Sequence, residues 1–210
     1  MVEFLGYQYL GEHYPTVARQ IIHFCNSPVP AIRQAASYGI GIMAQNGGDA
    51  YKLVSNDCLA GLKTSIEYHP PAGDKKSKLK QYNHAKDNAV AALGKIIKYQ
   101  TATIDPSQFV PHWISMLPLK NDLEESQGQN EILAQILTEQ PQLALGEQFQ
   151  RIEQIVLILG EILQKKYIKE DTGKLLATFV KNASVDPTIG PHFKTIFDNK
   201  LSNEAKERIQ

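Results

Sequence analysis

The stretch Arg33-Gln-Ala-Ala-Ser-Tyr-Gly-Ile-Gly41 decides the fold, because it returns as Lys86-Asp-Asn-Ala-Val-Ala-Ala-Leu-Gly94. In both copies a basic residue leads, small residues follow at helical spacing, and an apolar residue and a glycine close the phrase. Small side chains in such a register let a neighbouring helix approach closely. The offset is 53 residues, and residues 69–80 (His69-Pro-Pro-Ala-Gly-Asp-Lys-Lys-Ser-Lys-Leu-Lys80) read as an insertion. Its prolines, glycine and lysines predict a flexible loop. Without those twelve residues the period is 41.

The pattern continues. Ala89, Leu93 and Ile97 map onto Gly128, Ile132 and Ile136 at an offset of 39, and Ile132, Leu133, Ile136 and Leu137 map onto Leu175, Leu176, Phe179 and Val180 at 43. A helical unit recurring every 40 or so residues is the period of HEAT and armadillo arrays. No segment sustains strand-like alternation. The expectation is therefore an all-α superhelix, a single solenoid of antiparallel helix pairs. Its repeats fall near 1–26, 28–68, 82–117, 122–166 and 168–198, with a closing helix at 202–210.

Within the units, helices are expected at 2–12, 16–26, 30–45, 50–68, 82–99, 106–117, 122–139 and 149–166, then near 187–198 and 202–210. Val17, Ile21, Phe24 and Cys25 share one face, as do Ile32, Ala35, Ala36, Gly39, Ile40 and Met43. Pro30 suits a first turn, Asn46-Gly47-Gly48 a left-handed cap, and Asp49 and Asn121 or Asp122 N-caps. Ile40, Leu93, Trp113, Ile136, Ile158 and Phe179 are expected in the core. Arg33, Lys86 and Glu125 are expected at matching places in successive helices.

Lys+Arg and Asp+Glu are equal at 22 each, so no global field favours nucleic acid or an anionic membrane. The charge is segregated, however. Residues 75–98 carry seven lysines against Asp87, and residues 122–161 carry eight acids against Arg151. The longest apolar run, Ile155 to Gly160, is too short to span a bilayer.

Chemistry is thinly supplied. Cys25 and Cys58 lack metal or disulfide spacing and sit on apolar stripes. The six histidines (His13, His23, His69, His84, His112 and His192) pair with no acid or thiol at ligand spacing. Gly39-Ile-Gly41 lacks the strand and third glycine of a dinucleotide loop. Glu124-Glu125 stand as acids on an exposed face. No cofactor is expected, and no enzyme. Trp113 is large enough to anchor a partner, although its register with Phe109 and Leu117 favours the core. The partner-contact set proposed from the sequence is Asp57, Glu67, His112 and Trp113, on helices expected to be concave.

Ser27-Pro-Val-Pro-Ala-Ile-Arg-Gln-Ala-Ala-Ser-Tyr-Gly-Ile-Gly-Ile-Met-Ala-Gln-Asn-Gly-Gly-Asp49 resembles a signature stretch of the importin-β nuclear transport receptors, in the importin beta-3 (karyopherin beta-3) branch. Asn88-Ala-Val-Ala-Ala-Leu-Gly-Lys-Ile-Ile97 and Val110-Pro-His-Trp-Ile-Ser-Met-Leu-Pro-Leu119 are similar to the next blocks of that branch. Leu201-Ser-Asn-Glu-Ala-Lys-Glu-Arg-Ile209 is similar to its closing helix. The resemblance implies the carboxy-terminal repeats of a receptor that shuttles between cytoplasm and nucleus. It implies cargo proteins with basic localisation signals and nucleoporins bearing phenylalanine-glycine repeats as partners. It implies Ran-GTP as a partner of the full-length receptor, but not through this stretch alone. Membranes and direct nucleic-acid contacts are not expected. The rival reading is a HEAT scaffold of another kind, such as a phosphatase scaffold subunit.

Overall fold

In the computed structural model, residues 10–73, 76–164 and 166–209 are described. Every regular element among them is helical, so the class is all-α with helices paired as in HEAT repeats. The chain divides into two compact units. One holds residues up to Phe109 together with Lys120–Glu125, and the other holds Val110–Leu119 and the residues from Ser126 onward. Residues 2–9 of the expected first helix lie outside the described residues.

The first unit is built from α1 (Tyr14–His23), α2 (Pro30–Asn46), α3 (Ser55–Ile66) and α4 (Lys76–Tyr99). Prolines open α1 and α2 within their first turns, where a missing N–H costs no helical bond. The α2–α4 pairing dominates this core, and small residues make it possible. A Cβ on Gly41 would stand 3.3 Å from the Ala92 Cα and 3.0 Å from the Lys95 side chain. Against Ile40, Met43 and Ala44 of α2 lie the buried Ala85, Ala89, Ala92, Leu93 and Ile96 of α4. Gln100, just past α4, donates from Nε2 to the Ala44 carbonyl at 2.6 Å. Val54, just before α3, and Cys58, Leu62 and Ile66 on it form a buried stripe.

The structure corrects three expectations here. On α2, Ile32 and Ala35 face outward while Arg33 and Ser37 face inward, because Arg33 is accommodated by two rings rather than by water. Phe24 is 50% exposed, since α1 ends at His23 and a 3-10 turn at Phe24–Asn26 points Cys25 inward and Phe24 outward. Residues 76–80 belong to the 24-residue α4, so the expected loop at 69–80 is in part helix. Lys and Leu are good helix formers, and the buried half of α4 provides the nucleus from which the helix extends outward. The period corrected to 41 by removing all twelve residues therefore loses its basis.

Caps follow the same logic. Gly48, with φ of +48°, adopts the left-handed conformation expected after α2. Asp49 does not cap α3. It lies inside a 3-10 turn at Gly48–Leu53, and α3 opens after Val54 with no side-chain cap.

The second unit holds α5 (Val110–Ser115), most of α6 (Leu123–Glu139), α7 (Pro141–Leu145), α8 (Ile152–Ile162), α9 (Glu170–Val185), α10 (Ile189–Lys200) and α11 (Asn203–Ile209). The helix expected at 106–117 is a 3-10 turn at Pro106–Gln108 followed by the short α5. The helix expected at 149–166 is shorter, and α7 before it was not anticipated. Gly146, at φ of +76°, separates α7 from α8, and a Cβ there would meet the Arg151 guanidinium at 2.7 Å. That guanidinium satisfies the end of α7, donating from Nε to the Ala144 carbonyl at 2.7 Å and from Nη2 to the Leu143 carbonyl at 3.0 Å.

Ile132, Leu133, Ala134 and Leu137 are the buried apolar residues of α6, whereas Ile136, expected in the core, is only half-buried. Three of the four repeat positions read on this helix are thus buried, and Ile136 alone among them stands at the edge. Ile158 and Phe179 are buried as expected. Asp186 accepts from the backbone N–H groups of Thr188 and Ile189 at 2.8 and 2.9 Å, turning α9 into α10. The closing helix α11 returns to α8. A Cβ on Gly160 would lie 3.1 Å from the Ala205 side chain, and Arg208 donates to the Gly160 carbonyl at 3.0 Å.

Candidate functional site

The sequence-derived contact set is divided between the two units. Asp57 and Glu67 are exposed on and just beyond α3 in the first unit, and Asp57 pairs with Arg19 at 3.4 Å. His112 is exposed on α5 in the second unit. Trp113 is 0% exposed, and its indole Nε1 donates to the buried Gln129 Oε1 at 3.0 Å. It is a core side chain, so the reading of Trp113 as a partner contact is corrected. Arg33, Lys86 and Glu125 are not equivalent either, because Lys86 is exposed and the other two are buried.

Among the described residues, no group of three or more His, Cys, Asp or Glu side chains is placed to hold a metal ion. No helix among them is long and apolar enough to cross a membrane. Both cysteines are free and buried. Burial pushes the Cys25 thiol up to about 11 and the Cys58 thiol up to about 12, so neither is a thiolate at neutral pH.

The recess that does gather chemistry lies in the first unit, between the outer face of α2 and the segment 120–125. Ala31, Gln34, Ala35, Tyr38, Asn88, Asp122, Glu124 and Glu125 line about 430 Å3. It exists because Ala31 and Ala35, which the sequence had assigned in part to the core, are small and face outward. Tyr38, 37% exposed, forms an aromatic wall.

The acidic wall is fixed by α4. The Asp87 carboxylate accepts from the backbone N–H groups of Asn121 and Asp122 at 2.7 and 3.0 Å. The neighbouring Asn88 donates to Asp122 Oδ2 at 2.9 Å. Asp122 then caps α6 by accepting from the Glu125 N–H at 3.2 Å. Glu125 Oε1 takes the Lys95 ammonium at 2.8 Å, and that ammonium also lies 5.2 Å from the Tyr38 ring centroid. Three carboxylates thus line the recess with Lys95 bonded to one of them, and Glu124 is exposed and makes no ion pair among the described residues. An excess of negative charge beside an aromatic ring, held on a pre-ordered backbone, suits an ammonium or guanidinium group.

Paired helices of this kind are the architecture of the HEAT-repeat class. In sequence the chain is similar to importin subunit beta-3 of Saccharomyces cerevisiae, with 28% identity over 156 residues, covering 74% of this chain and 14% of that protein. It is also similar to a probable importin-5 homolog of Dictyostelium discoideum, with 24% identity over 181 residues, covering 84% of this chain and 16% of that protein. Both relatives are importins, which supports the importin-β family. The chain spans about one seventh of the length of these curated relatives. No family model matches it.

The recess could have been found in the sequence from two signals. One is the acid excess beginning at residue 122, and the other is the Asp87-Asn88 pair inside the repeated phrase. What hid it was the rotation of α2, which turns Ala31 and Ala35 outward.

Proposed function

We propose that this chain supplies carboxy-terminal HEAT repeats of a nuclear transport receptor, and that the acidic recess of its first unit receives basic side chains of protein cargo. The observation that carries the reading is the recess itself, whose described lining holds Asp122, Glu124 and Glu125 and no basic side chain, with Tyr38 beside them. Similarity to two importins and the family-like stretch at 27–119 support the receptor assignment. On this reading the protein shuttles between cytoplasm and nucleus, is no enzyme, and meets nucleoporins and Ran-GTP as part of the whole receptor.

The test is binding of a fluorescent lysine- and arginine-rich localisation peptide to the 210-residue chain. Glu124→Lys reverses the exposed carboxylate without touching the capping network. Affinity is expected to fall about tenfold with Glu124→Lys, and to weaken with added salt in the wild type. Unchanged affinity in Glu124→Lys would remove the recess from the cargo surface. Retention of a phosphatase subunit in place of basic peptides would favour the scaffold reading.

A further inference from the structure

The second unit carries a different surface, which the cargo reading does not use. α9 and α10 run as an antiparallel pair, and a groove of about 640 Å3 opens along them. Its floor is apolar, formed by Ala177, Val180, Phe193 and Phe197, with Ile209 from α11. The Phe193 and Phe197 rings are stacked with centroids 6.4 Å apart, and Phe197 keeps part of its surface open. One residue beyond the groove-lining Ser184, Val185 is 77% exposed.

The rim is cationic. Lys181 on α9 and Lys194 on α10 both line the groove, are exposed, and make no ion pair among the described residues. Lys206 lies 6.0 Å from the Phe197 ring centroid and donates to the Asp198 backbone carbonyl rather than to a carboxylate. Asp198 is the one acidic side chain among the described residues of the lining.

We infer that this groove is a docking site for an amphipathic helix that presents apolar side chains to Phe193 and Phe197 and acidic side chains to Lys181 and Lys194. The apolar floor sets the first requirement. A helix laid between two helices anchors through residues at i, i+3 or i+4, and i+7. Charge complementarity sets the second, because unpaired lysines on both walls favour carboxylates along the ligand's flanks. A second copy of this chain fits poorly. Two-fold packing of the groove on itself would bring Lys181 and Lys194 against their own images, with Asp198 as the sole lining counter-charge on each side.

The experiment selects phage-displayed, helix-forming peptides on the full 210-residue chain and measures the enriched peptide by fluorescence anisotropy. Enriched sequences are expected to combine helically spaced apolar residues with flanking Asp or Glu. The double variant Lys181→Glu/Lys194→Glu, at exposed positions, is expected to weaken them about tenfold. The same peptide with Gln for Glu and Asp is expected to lose a similar factor. Circular dichroism is expected to show an unchanged fold, and Phe197→Ala provides an independent loss through the floor. The inference is overturned if no peptide is enriched, or if enriched peptides lack acids. Indifference to the charge reversal overturns it, and so does a concentration-dependent dimer abolished by the same double variant.

Discussion

Arg33 lies 1% exposed in the first unit, with its guanidinium 3.6 Å from the Tyr68 ring centroid and 5.2 Å from that of Tyr82. It donates to the Ser27 carbonyl at 2.5 Å, and burial holds its pKa below the ordinary value. A flat, weakly hydrated cation tolerates this position, whereas a compact ammonium does not. Arg33→Lys is expected to cost about 2–3 kcal/mol and Arg33→Met about 1 or less, because removing a buried charge removes its desolvation penalty too. Urea titrations of the two variants check the order, and a more stable lysine variant would show that stacking is not what holds this residue.

The buried thiols set a second expectation at the same scale. Their native pKa values stand above the ordinary 9.0, so between pH 9 and 11 the native state binds more protons than the unfolded chain. Stability is therefore full below about pH 9 and falls as pH rises above it. Melting temperatures across that range, compared with a Cys25→Ala/Cys58→Ala variant, isolate the contribution. The wild type should show the steeper decline.

At the scale of elements, the strongly periodic helices were legible in the sequence. The repeated row Ala89, Leu93 and Ile97 on α4 is buried as read, and so is Cys58 on the apolar stripe of α3. Periodicity failed where a helix carries an unusual inward residue. On α2 a buried arginine cannot be distinguished from a surface one by hydropathy, and accepting Ile32 as core turned the face by a residue. It failed again around Gly146, where Arg151 satisfies the last carbonyls of α7 through a fold of the chain that no local pattern marks. The α2–α4 contact offers the clearest element-level test. Leu93→Ala is expected to cost about 2–5 kcal/mol through the cavity it leaves. Gly41→Leu is expected to cost about 1–3 kcal/mol or more by forcing α2 away from Ala92. Denaturation showing either change to be silent would mean that these helices do not pack at the observed separation.

At the scale of the whole molecule, a net charge of zero conceals two surfaces of opposite preference. The sequence showed the segregation as an acid-rich stretch after residue 122 and a lysine-rich one before residue 98. It did not show the groove of the second unit, whose Lys181, Lys194 and Lys206 are too widely spaced to register as a run. If each surface works through its own local charges, their effects should separate. Glu124→Lys is expected to weaken a lysine-rich peptide about tenfold and leave an acidic amphipathic peptide unchanged. Lys181→Glu/Lys194→Glu is expected to do the reverse, because each substitution changes only the charges that line its own surface. Anisotropy titrations of both peptides against both variants, at physiological salt, give the four affinities needed. If either variant shifted both peptides equally, a shared site or a change of net charge would explain the binding, and the assignment of two separate surfaces would fall.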